Sequence, residues 1–305
     1  MLAARSVGNE RGRGVRPGLW FQLPSVGVLL GIAAFPIAYS IWLSLRAYSL
    51  VLPGQTGQWI GGENYARLFH DAQFHGAFAK TMIYTAVTVS IELVLGVLLG
   101  IALNKLRRGR RLIIALVLVP TVISPLIIGL MFNFLLNAQF GLFPYLSDHL
   151  GLPLPANVLG SATWAFPALA ITDIWEWTPF IALITFAGLR ALPTAPLEAA
   201  NVDGASSWQM HWHVILPLLR PILTVAVIFR VAEAVREFDK VYILTGGGPG
   251  ASTLLNDLFI YRVSFVNFDL GYGAALGVTM FVFMLCLAVV FFIAIERADA
   301  PRARA

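Results

Sequence analysis

The chain has 305 residues, of which 58% are hydrophobic and 12% charged, with a formal net charge of +5. That balance excludes an ordinary soluble domain, in which about a quarter of residues are Asp, Glu, Lys or Arg. It also turns the positive charge from a nucleic-acid signal into a matter of membrane topology, because Lys and Arg lie mostly between apolar runs.

Arg5, Arg11, Arg13 and Arg16 precede the first apolar run, as in the basic start of a signal peptide. The run is too long for a signal core and no clear cleavage site follows, so it reads as a retained span over residues 20–45. Further runs over 79–104, 112–136, 162–189, 221–244 and 270–295 approach or exceed the ~20 residues needed to cross a bilayer as helix. The predicted fold class is an all-α membrane protein with six transmembrane helices. A basic tail (1–19) precedes the transmembrane domain (20–295), and a short tail (296–305) follows it. Fourteen of the 21 Lys and Arg residues fall in the two tails, the Lys105–Arg111 connector and the 190–220 loop. The positive-inside rule then places both termini and that loop in the cytoplasm, and the protein in the cytoplasmic membrane as a multi-pass protein.

The connector 46–78 holds Trp59, Tyr65, Phe69, Phe74 and Phe78, with a short interfacial helix expected around residues 64–69. Pro120 and Pro125 predict a kink in the third span, lining a pathway or purely structural. Charges inside spans cost at least ~2.5 kcal/mol each, so Glu92, Asp173 and Glu176 must face a cavity or a partner. Asp173 and Glu176 share a helix face, and Trp175 and Trp177 stand beside them. Acid beside indole suits a sugar, and internal ion pairing is the alternative. The fifth span carries Arg230, Glu233, Arg236, Glu237, Asp239 and Lys240, so it lines a path or pairs with Asp173 and Glu176; Phe238 and Tyr242 could add a stacking surface.

Residues 198–217, EAANVDGASSWQMHWHVILP, form a polar island bracketed by Pro193, Pro196, Pro217 and Pro221, which should stop either flanking span from continuing through it. Gly204 can end a short helix, and Ser206 with Gln209 reads as a capping box that starts a second. Trp208, Trp212 and Ile215 then make one apolar stripe. Residues 245–253, TGGGPGAST, have no Lys after any glycine, so they are a flexible turn and not a phosphate loop. His211 and His213, two apart, face opposite sides of a helix, and no metal site is expected. Cys286 reads as a small apolar packing residue.

Glu198-Ala199-Ala200, Gly204, Val214 and Leu216-Pro217 together resemble the EAA signature of ATP-binding-cassette import permeases, with Val214 where the family usually has Ile. Leu244 to Gly250 and Gly271-Tyr272-Gly273-Ala274-Ala275 resemble its carbohydrate-uptake branch, related to the maltose permeases; some relatives move glycerol-phosphate compounds. The resemblance spans about residues 20–295. It implies a permease subunit without catalytic residues and with no cofactor of its own, ATP and Mg being used by a separate ATPase. Glu198, Ala199, Ala200, Asp203, Gly204, Leu216 and Pro217 would couple to that ATPase. Gly246, Gly247, Gly248 and Pro249 would lie near the docking surface of an extracytoplasmic solute-binding protein. A second permease subunit and two ATPase copies complete the expected partners, together with membrane lipid and no nucleic acid. Glu92, Asp173, Trp175, Glu176, Arg230, Glu233, Arg236, Glu237 and Tyr242 are the candidate substrate pathway. An ion-driven transporter, in which Glu92, Asp173 and Glu176 carry protons, is the main rival reading. A membrane enzyme lacks a paired nucleophile and base, and a purely structural subunit would tolerate neutralising these charges.

Overall fold

A computed structural model describes residues 18–299 except 52, 53, 55, 152–154 and 156. Of the terminal tails on which part of the topology argument rests, residues 1–17 and 300–305 lie outside the described residues, and 296–299 continue α13. The chain runs as α1 (Gly18–Ser44), a hairpin of β1 (Arg46–Tyr48) and β2 (Thr56–Trp59), α2 (Glu63–His70), α3 (Ala72–Lys105), α4 (Arg110–Val122), α5 (Pro125–Leu135), α6 (Leu142–Leu150), α7 (Ala165–Ala191), α8 (Thr194–Val202), α9 (Ser207–Gln209), a π-helical stretch (Met210–Ile215), α10 (Leu216–Val235), α11 (Asp239–Leu244), α12 (Asn256–Tyr261), a second π-helical stretch (Arg262–Val266) and α13 (Leu270–Asp299).

Among the described residues, five helical segments are long and apolar enough to cross a membrane, and α4 with α5 makes a sixth if that bent pair is one span. The kink expected in the span over 112–136 is a sharp one, a turn of 93° between α4 and α5. Ile123 and Ser124 are both extended and Pro125 opens the next helix. The cause is local: the residue before a proline is driven out of the helical region, while proline itself is well suited to a first helical position.

The expected fifth span, 221–244, is displaced. A helical rod runs without a break from Ser207 to Val235, through both Pro217 and Pro221, and stops before α11. Pro217 does not interrupt it because the stretch before it is π-helical, with the Leu216 N–H bonded back to the His211 carbonyl. This wider turn shifts the hydrogen-bond register ahead of the residue that lacks an N–H.

α3 and α7 form the centre of the bundle, and small residues set their separation. Gly96 and Gly100 lie one turn apart on α3 and press against Thr178, Ile181, Ala182 and Thr185 of α7. A Cβ on Gly100 would sit 2.6 Å from the Thr185 Cβ and 2.7 Å from the Ala182 carbonyl oxygen. With no water to expel between helices in lipid, such close backbone approach is what holds them. By contrast α1 shows its large side chains outward, with Leu29, Ile32 and Phe35 each about two-thirds exposed or more (66%, 70% and 71%). Cys286 is exposed on α13, so it faces outward and does not pack inside.

At one end, α2 forms where the short interfacial helix was expected. Asn64 donates to the Ser44 and Arg46 carbonyls at 2.8 and 3.0 Å, tying α2 to the end of α1. Tyr272 donates to Asp71 at 2.6 Å and Arg67 pairs with Asp269 at 2.7 Å, which fastens the start of α13 to α2 and α3. The β1–β2 hairpin had no signal in the sequence reading. Replacing Gly100 by Ala is expected to force α3 and α7 apart at a cost of about 1–3 kcal/mol. The thermal midpoint of the purified protein should fall, while a Gly31→Ala change, which meets nothing within 4 Å, should leave it unchanged.

Candidate functional site: a buried ion-pair network and an exposed two-helix loop

Five of the seven acidic and basic residues of the candidate pathway, Glu92, Asp173, Glu176, Arg230 and Glu237, converge with Lys240 on one place, and Glu233 and Arg236 do not. Arg230 of α10 grips Glu92 of α3 with two bonds, Nε to Oε2 at 2.7 Å and Nη2 to Oε1 at 3.0 Å. The same Nη2 donates to Asp173 of α7. Lys240 of α11 reaches Asp173 at 2.6 Å, Glu176 at 2.6 Å and Glu237 at 2.8 Å. Glu92, Asp173, Arg230 and Lys240 are closed to solvent, at 1% exposure or less. Asp173 and Glu176 share a helix face as their spacing predicted, and that face is turned onto Lys240. Fork-shaped pairing of Arg with a carboxylate is among the strongest charge-assisted arrangements, and it offsets the desolvation of groups placed inside a bundle.

The break at Arg236 makes the convergence possible. Arg230 and Lys240 are ten residues apart, which on one unbroken helix would put them about 80° apart around the axis and ~15 Å along it. Here α10 ends at Val235, and the Glu237 carboxylate accepts the Lys240 backbone N–H at 3.0 Å in the first turn of a separate helix, α11. α5 holds that short helix in place, with Asn133 donating to the Ile243 carbonyl at 3.2 Å. On an unbroken helix Arg230, Glu233 and Glu237, at i, i+3 and i+7, would share one face, and the end of α10 at Val235 removes Glu237 from that helix. Glu233 is half-buried and Arg236 is exposed. Arg236 acts electrostatically on Asp257 of α12, whose carboxyl burial pushes up to about 6 against the pull of that guanidinium.

Two indoles flank the network in different ways. Trp175, the one expected to reach the pathway, packs edge-on against Phe132 and is 40% exposed. Trp177 lies under the guanidinium of Arg230, 4.7 Å from its carbon, and joins Phe180 and Phe229 in an aromatic cluster with centroids 5.3–6.2 Å apart. Tyr242 stacks on Phe238 at 5.4 Å and stays partly exposed. Sequence reasoning did not reach Phe180, Phe229 or the polar residues Thr81, Tyr84 and Thr88 that share a stripe of α3 with Glu92. Their spacing of three to four residues in an otherwise apolar helix was the available signal.

The 190–220 loop is built as the sequence suggested at its first turn and differently at its second. α8 ends in a left-handed Gly204 (φ +77°), with the Ala205 N–H bonded to the Ala200 carbonyl at 3.0 Å and the Gly204 N–H to the Asn201 carbonyl at 3.1 Å. This is the two-bond glycine cap that satisfies the last helical carbonyls. The Ser206–Gln209 capping box is present in both directions, at 3.3 and 2.9 Å. The second helix is not short, however, but the start of the long rod that ends at Val235. Glu198, Ala199, Asp203 and Gly204 are exposed, Ala200, Leu216 and Pro217 partly so, and α8 buries no residue. Val202, Trp208 and Trp212 are 88%, 70% and 50% exposed, the two indoles 5.2 Å apart. His211 and His213 each bond to a carbonyl one turn back, and no group of metal-ligating side chains occurs among the described residues.

The Gly-rich stretch is a tied turn, not a flexible one. Gly246, Gly247 and Gly250 take positive φ, Thr253 is fully buried, and its hydroxyl donates to the Gly248 carbonyl at 2.8 Å beside Thr245 at 2.6 Å. Arg262 donates to the Gly246 carbonyl. Gly248 and Pro249 remain partly exposed on this turn.

Residues 92–302 match the family described as binding-protein-dependent transport system inner membrane component. The chain belongs to this family. It is 35% identical over 279 residues to the trehalose/maltose transport system permease protein MalF of Thermococcus litoralis, covering 92% of this chain and 93% of that one. It is 35% identical over 277 residues to the trehalose transport system permease protein SugA of Mycobacterium tuberculosis, covering 90% and 85%. A permease-fold chain from the crystal structure of a bacterial importer of the acidic polysaccharide alginate superposes with a TM-score of 0.75 at 22% identity, covering 93% of this chain and 96% of that one. The last likeness concerns the fold. The chain is thus a membrane-embedded permease subunit of an ATP-binding-cassette importer, and ATP hydrolysis belongs to a separate subunit of such systems.

Arg230→Lys keeps the charge and loses the fork. A single ammonium cannot hold Glu92 at two points while reaching Asp173. Leaving a buried carboxylate part-paired is expected to cost about 3–5 kcal/mol. The check is the yield and thermal midpoint of the purified variant against wild type, with Arg220→Lys on the exposed side as the control.

Proposed function

We propose that this chain is one half of a permease that moves a sugar or related polyol inward across the cytoplasmic membrane by alternating access. The observation that carries the reading is the exposed two-helix loop, capped at both turns and joined rigidly to the helix that bears Arg230. A loop that buries none of its α8 residues, yet is held this firmly, is shaped to meet another protein. Its occupant in this reading is the ATPase, two copies of which would bind and hydrolyse ATP with Mg, this chain holding no cofactor of its own. Glu198 would meet basic or amide groups there, Ala199 and Ala200 would allow close approach, and Asp203 and Gly204 would form the bend, with Leu216 and Pro217 anchoring the loop to the rod. Both termini and this loop would be cytoplasmic. Gly246, Gly247, Gly248 and Pro249 would lie at the opposite face, near the docking surface of the solute-binding protein. A second, distinct permease chain would complete the pathway across six spans per half.

The solute class follows from which surfaces are free. Glu92, Asp173 and Arg230 are spent on one another, so their part is to frame the pathway. Contact would fall to Trp177, Phe180, Phe229 and Tyr242, with Trp175, Glu176, Glu233, Arg236 and Glu237 around them. Aromatic faces stack on the C–H surfaces of sugars, and the two relatives named above carry trehalose or maltose in their names. A glycerol-phosphate solute is less well served, since the Arg230 guanidinium already donates to two carboxylates.

Two variants test this. Gly204→Arg, at a left-handed position with nothing within 4 Å, should leave membrane insertion intact. It should cut ATP-dependent uptake at least about tenfold, the loss of ~1.4 kcal/mol of coupling. Uptake at the wild-type rate would remove the docking role from the loop. Phe180→Ala should lower uptake of the transported sugar with ATPase assembly unchanged, as followed by radiolabelled uptake and co-purification.

A further inference from the structure

The buried network does not balance its charge. Four carboxylates, Glu92, Asp173, Glu176 and Glu237, meet two cations, Arg230 and Lys240. The six groups come from α3, α7, α10, α11 and the residue at the α10–α11 break. None is more than 9% exposed in the chain by itself, so a neighbouring subunit has little access to supply the missing charge. The further charged groups beside it, exposed Arg236, half-buried Glu233 of α10 and Asp257 of α12, bring one positive and two negative charges and do not fill the deficit.

Geometry says where the excess lies. Arg230 holds Glu92 at both oxygens, and Asp173 is shared between Arg230 and Lys240. Glu176 and Glu237 are left to the same ammonium that already serves Asp173. Two net negative charges confined in a medium of low dielectric would cost far more than protonating the groups that bear them. A second feature points the same way. The Tyr84 hydroxyl of α3 is fully buried within electrostatic reach of Asp173 and Glu237, yet has no hydrogen-bond partner of good geometry. A proton is a ligand small enough for a closed cluster, and this unpartnered hydroxyl lies among the carboxylates that would share it.

We propose that this cluster is a proton-binding site that holds two protons in the closed arrangement, carried by Glu176 and Glu237. The ionised members, Glu92 and Asp173, are then the structural counter-ions. Of the two protonated members, Glu237 is the most exposed group of the cluster at 9%, so opening of the bundle would first admit water there. Any rearrangement that exposes them would release protons, so the conformational equilibrium of the permease is linked to pH on the side to which the cluster opens.

The test compares neutral isosteres in the assembled transporter. Glu176→Gln and Glu237→Gln copy the protonated state, so singly and together they should assemble with yield and thermal midpoint close to wild type. Glu92→Gln and Asp173→Asn remove charges that the cations require, and should lose assembled complex several-fold. Infrared difference spectra at neutral pH should show the C=O stretch of protonated carboxylic acid in wild type, reduced in each glutamine variant at Glu176 or Glu237 and removed from the difference in the double variant. If Glu176→Gln and Glu237→Gln damage assembly as much as Glu92→Gln does, the carboxyls are ionised and the proposal fails. An acid band unchanged in the double variant overturns it equally.

Discussion

Everything in the centre of this molecule depends on keeping charged groups inside a bundle that lipid surrounds. A buried ion pair is weak evidence for net stability, because desolvation consumes most of the Coulomb energy. It is strong evidence for geometry, since breaking it leaves an uncompensated charge. Glu92 can be tolerated only if α3, α7 and α10 meet where Arg230 can grip it and Asp173 together. Lys240 can join only because α10 stops short and α11 is a separate helix. The glycines of α3 let the backbones approach closely enough for these side chains to touch. Network, helix break and glycine seam are therefore one solution to one constraint.

The same constraint links the two ends of the site. The rod from Ser207 to Val235 begins in the exposed loop and ends next to the network, a helical path of 29 residues and about 43 Å at ~1.5 Å per residue. It contains two prolines and a π-helical stretch but no break. A displacement imposed at Trp208 or Gly204 therefore has a stiff route to Arg230, whose three contacts lie on two other helices. Permease subunits of this family work beside an ATPase, and such a rod is the kind of element through which closure of one protein can be felt in the core of another.

Much of this was legible from residue types and spacing. Apolar run lengths located the helices, because only a helix satisfies its own backbone in lipid. The capping box and the glycine cap of the loop follow from local chemistry and appear where Ser206, Gln209 and Gly204 put them. Asp173 and Glu176 share a face because three residues is close to one turn. What was not legible depends on partners far apart in the chain. Nothing local says that Arg230 will choose Glu92, 138 residues away, or that Lys240 will gather three carboxylates. The break at Arg236 was hidden for the same reason, since the residues around it are ordinary helix formers and the cause is the tertiary demand on Glu237 and Lys240. Pro217 misled in the opposite direction, as a π-helical register absorbed what a lone proline would have broken. Between two neighbouring indoles, Trp175 and Trp177, only the packing decides which one lies under the guanidinium.

The account's central claim is that this chain works as one half of an ATP-driven import complex. The most direct measurement is mild-detergent purification of a tagged copy from its native membrane, with mass spectrometry of everything retained. The account predicts a second, distinct permease chain and an ATPase whose sequence carries a Lys-containing phosphate loop. Recovery of this chain alone, or only with copies of itself, would contradict it.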